Sequence, residues 1–178
     1  ILRQFYNKAS KYNLNFWVYY GTLLGLVRDN NLICYDYDVD ISTLDTNFET
    51  CCKVMKEIAL ENNYKYFFLN SPFGKWCRID DEKYGLNLDI TFYKKKGNKM
   101  KMIGTATNGL KNIDSSIIFP LKNVIFKNMK INIPNNSEYV LEKEYNDWRI
   151  PHKQCNDECI CKENYNELQD TLDYWNNH

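Results

Sequence analysis

The sequence has no net charge, because 23 Lys and Arg balance 23 Asp and Glu. It therefore lacks the global positive field that holds nucleic acid irrespective of sequence, and no basic stripe argues for an RNA partner. Long apolar runs are missing too. The longest apolar run free of charged residues, around Leu14 to Val27, is interrupted by Asn, Tyr, Gly and Thr, and no segment reaches the roughly 18 to 20 apolar residues of a membrane helix. No internal repeat stands out, and the only compositional bias is towards Asn and Lys. Neither Met nor a basic leader opens the chain at Ile1, as expected if an upstream part belongs to the same protein. What is present is 178 residues, 44% of them hydrophobic. That is enough for one domain with its own core, and it excludes disorder as the general description.

Seven cysteines are an odd number for a secreted disulfide framework, which leans towards a reducing compartment without deciding it. Cys34, Cys51, Cys52 and Cys77 are scattered through segments that read as core. His152, Cys155, Cys159 and Cys161 form H-x2-C-x3-C-x-C. These are zinc-ligand types without the C-x2-C pairs of common structural sites, so zinc, a disulfide and free thiols all stay open.

Residues 1–12 carry apolar side chains at helical spacing, and the uncharged aromatic run Phe16 to Tyr20 predicts a buried strand ending at Gly21. Thr22 is placed to cap a short helix from Leu23 to Arg28. Val39 and Ile41 alternate with Asp38, Asp40 and Ser42, giving a strand with one apolar and one polar face. A helix is expected from Thr46 to Asn62. Strands follow at Tyr64–Leu69, Lys75–Ile79, Leu86–Tyr93 and Met100–Ile103, then a hairpin at Val124–Phe126 and Lys130–Ile133. Ser137–Glu144 reads as a helix. Glu163–Trp175 reads as another, after an irregular cysteine-containing link within 152–178. Strands and helices interleave without a regular β-α-β rhythm, which predicts α+β, a mixed sheet with flanking helices, in a single domain spanning 1–178.

Asp36-Tyr37-Asp38-Val39-Asp40-Ile41 is the most informative segment. In a strand, residues two apart share a face with Cα atoms about 7 Å apart, so the carboxylates aim at one spot. Like charges that close raise one another's pKa unless a cation lies between them, and all-oxygen ligands favour Mg²⁺ or Mn²⁺. A solvated acidic edge strand is the competing reading, weakened by the apolar opposite face. Asp89 lies inside Leu86-Asn87-Leu88-Asp89-Ile90-Thr91-Phe92, a strand otherwise suited to a core, where a carboxylate is costly unless paired or ligating. Convergence with Asp38 and Asp40 is one solution and an ion pair with Arg78 is the other.

Gly21-Thr22-Leu23-Leu24-Gly25 is a strand-to-helix turn. Its backbone N–H groups, hydroxyl and helix N-terminus suit a phosphate, although the same residues also describe a plain capped helix. A phosphate cradle close to a paired-acid strand is what metal-assisted phosphoryl or nucleotidyl transfer needs. Arg78 offers a bidentate fork for a donor phosphate. The run Lys94-Lys95-Lys96 with Lys99 and Lys101 reads as a solvated hairpin tip. Trp148 and Arg149 read either as packing or as the border of an acceptor groove.

The segments Gly21–Arg28, Asp36–Ile41 and Leu88-Asp89-Ile90 together resemble the signature of the LicD and fukutin-related family, a branch of the nucleotidyltransferase fold. The likeness continues through Ile118–Leu121, Ile133–Asn136 and Tyr139–Trp148. Cys34-Tyr35 stands where the family has Trp or Pro before the acids, and Tyr145-Asn146 where it has Tyr-Gly. The resemblance implies a transferase that moves a phospho-alcohol, of the phosphocholine or ribitol-phosphate type, from a CDP-linked donor to a glycan hydroxyl. It further implies that Asp38 and Asp40 hold the metal, with Asp89 as third ligand or as base. Gly21 and Thr22 would hold phosphate oxygens, and Arg28 would neutralise the leaving nucleotide unless it pairs with Asp36 or Asp29. Asp36 would orient a ligand or a neighbouring backbone. Two other activities fit the same residues less fully: nucleotidyl transfer to a protein or small molecule, and a catalytically silent nucleotide-binding module.

Overall fold

In the computed structural model, residues 1–71, 74–103 and 110–151 are described. The predicted final helix and the group His152, Cys155, Cys159 and Cys161 lie outside these residues, as does the whole 152–178 segment. The elements in chain order are α1 (Leu2–Lys11), β1 (Phe16–Val18), α2 (Tyr20–Arg28), β2 (Asp38–Leu44), α3 (Phe48–Asn62), β3 (Lys65–Ser71), β4 (Gly74–Asp81) and β5 (Leu86–Lys96). They continue with β6 (Lys99–Met102), β7 (Asn112–Asp114), α4 (Ser115–Ile118), β8 (Lys122–Phe126), β9 (Met129–Ile133) and α5 (Ser137–Glu144).

The main sheet is mixed and runs β1-β2-β5-β4-β3, with β6 and β7 continuing from the far half of β5. β2 and β5 are parallel neighbours, whereas β4 is antiparallel to both β5 and β3. This is the expected α+β arrangement. One face of the sheet is apolar: Val39 and Ile41 of β2, Leu88, Ile90 and Phe92 of β5, and Cys77 and Ile79 of β4 are all buried. They pack with the inner stripe of α3, which buries Cys51, Val54, Met55 and Ile58. Each such aliphatic or aromatic side chain contributes about 1.5–3 kcal/mol when fully buried. A one-residue slip of β5 would expose Leu88, Ile90 and Phe92 and bury Asp89, so the register of the acidic face is fixed by the apolar one.

α1 buries Leu2, Phe5 and Ala9 at helical spacing and places Lys8 and Lys11 in its last turn, favourable for the helix dipole. α3 ends where Asn63 adopts a left-handed conformation, φ 57°. The lysine-rich segment forms the ends of β5 and β6, exposed and turned at Gly97, which has φ 58°. Two short elements escape the periodicity argument. β7 and α4 span three and four residues, and α4 is capped by the Asp114 carboxylate accepting from the Ser116 N–H. Asn136 caps α5 in the same way, accepting from the Tyr139 N–H. Trp148 is buried under the Arg149 guanidinium, which also pairs with Glu138 and Glu142. Its role is packing.

Candidate active site

Asp40 is held at three points by the turn between β1 and α2. Its carbonyl accepts from the Tyr19 N–H at 3.0 Å, its N–H donates to the Thr22 hydroxyl at 2.9 Å, and its carboxylate accepts from the Gly21 N–H. The chain makes this turn by placing Tyr20 at φ 42°, a strained conformation for a bulky residue, costing about 1–3 kcal/mol. α2 therefore begins at Tyr20, earlier than the sequence suggests, with no side-chain cap. Thr22 is a correction. It lies inside the helix, buried, and its hydroxyl receives the Asp40 backbone N–H. Gly21 is needed for space, since a Cβ there would collide with the Asp36 carboxylate.

Across the sheet Asp40 is in register with Asp89, one strand spacing of about 4.8 Å away, and Asp38 is in register with Asn87. Asp36 lies against Asp38, accepting from its backbone N–H. Four carboxyl groups thus gather at one end of β2 and β5. Burial pushes the Asp40 carboxyl up to about 8, helped by the charges of Asp38, Asp89 and Asp36 and opposed by the Gly21 N–H. Burial, with the neighbouring Asp38, pushes Asp36 up to about 7. Asp89 is also raised by burial, against the opposing pull of Arg78 and Trp76.

Asp89 is gripped from β4. The Trp76 indole N–H donates to its Oδ1 at 2.8 Å, and an Arg78 N–H donates to its Oδ2 at 3.2 Å. Arg78 also pairs with Asp80. So the ion-pair reading of Asp89 holds, and Asp89 stands in register beside Asp40. Arg78, expected as a donor-phosphate ligand, divides its fork between two carboxylates here. Arg28 likewise makes a two-pronged pair with Asp29, at 2.8 and 2.7 Å, and its side chain is mostly covered. The alternative structural role expected for it is the one observed.

The acid cluster suits a hard divalent cation chemically, with all-oxygen donors and, among the described ion pairs, only Arg78 as counter-charge. Among the described residues no three acid, His or Cys groups are closed on a single point, and Asp89 is turned to Trp76 and Arg78. Asp38 and Asp40 stand two apart on β2, with Asp36 beside them.

Three contributors escaped sequence reasoning. Trp76 was visible only as an aromatic next to Arg78, and its link to Asp89 depends on the strand register. Glu144 accepts from the Leu110 N–H at 2.8 Å and from the Tyr19 hydroxyl at 3.4 Å, which braces the residue before the turn. Tyr145, whose hydroxyl is raised first by burial and then by the charge of Asp40, faces the acids from the end of α5. Asn146 follows it at φ 31°, a conformation suited to Gly, which is the residue the LicD pattern carries there.

The family model described as "LicD/FKTN/FKRP, nucleotidyltransferase domain" matches residues 13–136. The uncharacterized protein RT0683 of Rickettsia typhi (strain ATCC VR-144 / Wilmington) is 22% identical over 151 residues, covering 83% of this chain and 45% of that protein. The chain thus spans about half the length of this relative. Among solved structures, the crystal structure of ANT(2")-Ia in complex with adenylyl-2"-tobramycin aligns with a TM-score of 0.51 and 13% identity, covering 96% of this chain and 87% of that one. A solution structure of the same antibiotic-resistance factor aligns at 0.47 with 12% identity, covering 99% and 95%. The first supports the fold alone. The chain belongs to the LicD/FKTN/FKRP nucleotidyltransferase-domain family.

Proposed function

We propose that this domain is a divalent-metal-dependent transferase that moves a phospho-alcohol from a CDP-linked donor to the hydroxyl of a glycan or other polyol. The observation that carries this reading is the in-register pairing of Asp40 with Asp89, beside Asp38 and Asp36, at the turn that leads into α2. Phosphoryl transfer asks a protein mainly for positioning and for neutralisation of charge. Asp38 and Asp40 would hold Mg²⁺ or Mn²⁺, which when bound supplies positive charge to the donor pyrophosphate. The Tyr19–Thr22 turn fixes Asp40 by backbone and side chain, so that carboxylate cannot drift as the donor binds. Asp36 orients the Asp38 backbone through the N–H it accepts. Asp89, held on both oxygens from β4, takes the proton of the acceptor hydroxyl as the acceptor oxygen bonds to phosphorus and the nucleoside monophosphate leaves. Raised by burial, it is better suited to accept that proton than an exposed carboxylate.

Incubating the domain with Mn²⁺, a radiolabelled CDP-linked phospho-alcohol and mixed glycans tests this reading. Release of CMP with label on the glycan is the expected result. Label from an NTP on a protein or small molecule would assign nucleotidyl transfer instead.

A further inference from the structure

The acidic face of the sheet does not stop at Asp89. Asp89 is in register with Arg78 of β4, and Arg78 with Phe67 of the edge strand β3. In the next row Thr91 is in register with Trp76, and Trp76 with Leu69. Residues in register share a face, so Trp76, Phe67 and Leu69 project from the same side as the carboxylates. None of the three is buried, and Phe67 is 41% exposed on an edge strand, where an aromatic gains nothing from the core. The opposite face of β4, with Cys77 and Ile79, is the one covered by α3.

We propose that the β3–β4 shelf of Trp76, Phe67 and Leu69 is the acceptor subsite, and that it takes the ring of a sugar. The inference rests on the transfer reading and names the side from which its acceptor arrives. In-line displacement sets the attacking hydroxyl opposite the leaving group. The α2 turn flanks the acids from the β2 side, so with the donor there the acceptor enters across β5 and β4. Trp76 joins the two regions. Its indole N–H is spent on Asp89, which pins the ring beside the carboxylate that faces the acceptor hydroxyl. Apolar ring faces suit the C–H face of a sugar, and Asp80 and Asn87, half-buried on the same side of the sheet, suit its hydroxyls. From β5 to β3 the shelf spans about 10 Å, room for one or two sugar rings.

The test is direct binding to an array of neutral, amino and acidic oligosaccharides by the wild type, Asp40→Asn and the double variant Phe67→Ser/Leu69→Ser. Thermal shift with Mn²⁺ and CDP-linked compounds and light scattering are run on each. The shelf predicts that wild type and Asp40→Asn retain the same sugar, and that the double variant binds it about tenfold more weakly with its CDP response intact. No sugar retained by any protein, or equal retention by the double variant, would overturn it. So would a dimer that the double variant dissolves, which would make β3 a contact between copies. A missing CDP response in the wild type would strike the transfer reading, while sugar retention would still judge the shelf.

Discussion

The Thr22 hydroxyl accepts the backbone N–H of Asp40 at 2.9 Å, tying the first turn of α2 to the strand that carries the acids. A threonine whose type suggests a cap is instead a strut inside the helix. Thr22→Val keeps the shape and removes the acceptor, leaving a buried N–H unpaired. A loss of about 1–3 kcal/mol is expected in denaturant unfolding, with transfer activity falling alongside it. Thr22→Ser should restore most of both. Unchanged stability in Thr22→Val would show that the strut is not needed.

Gly21→Ala should damage the site more than the fold, because the new methyl collides with the Asp36 carboxylate. Removing that carboxylate opens the space. In a double-mutant cycle Gly21→Ala should cost less stability in an Asp36→Ala background than in the wild type, a coupling that simple loss of glycine flexibility would not produce.

Asp40 and Asp36, pushed up to about 8 and about 7 by burial, bind protons in the folded state that the unfolded chain releases near pH 4. Folding stability from these groups is therefore fully present below about pH 4 and is lost as pH rises through 7 and 8. In metal-free protein the melting temperature should rise on acidification from pH 8.5 to about 6. Saturating Mg²⁺ or Mn²⁺ should flatten that dependence. Asp40→Asn should melt higher than the wild type in EDTA at pH 8 while losing activity. A pH-independent melting temperature in EDTA would contradict the burial of these charges.

Much of this arrangement could be read from residue order. Alternation of Val39 and Ile41 with Asp38 and Asp40, and of Leu88 and Ile90 with Asp89, identifies two strands that each carry acids opposite an apolar face. That β2 and β5 are parallel neighbours, with β4 rather than β3 beside β5, depends on tertiary packing that no local pattern encodes. The Arg78–Asp89 pair was one of the two readings of that buried acid, whereas the second pairing of Arg78 with Asp80 and the bond from Trp76 were out of reach for the same reason. Tyr20 gives no local sign of its left-handed backbone, since bulky residues rarely adopt it. β7 and α4 are too short for a period to register.

Trp76→Phe removes the N–H on Asp89 and keeps an aromatic ring. The Asp89 carboxylate then loses one of its two anchors, and kcat should fall about 10- to 100-fold with donor affinity and fold unchanged. Trp76→His, which retains a ring N–H, should recover part of the loss. A change confined to donor KM would place Trp76 on the donor side instead.

The central claim is that the Asp38/Asp40 pair builds a metal-dependent site for a CDP-linked donor. It is tested most directly by thermal stability with Mg²⁺ or Mn²⁺ against CDP-, UDP- and ADP-linked compounds, in the wild type and in Asp40→Asn. Ligands that bind the native state raise the melting temperature by mass action. The account predicts a metal-dependent rise with CDP compounds that disappears in Asp40→Asn. A rise with NTPs alone, or no rise with any nucleotide, would contradict it.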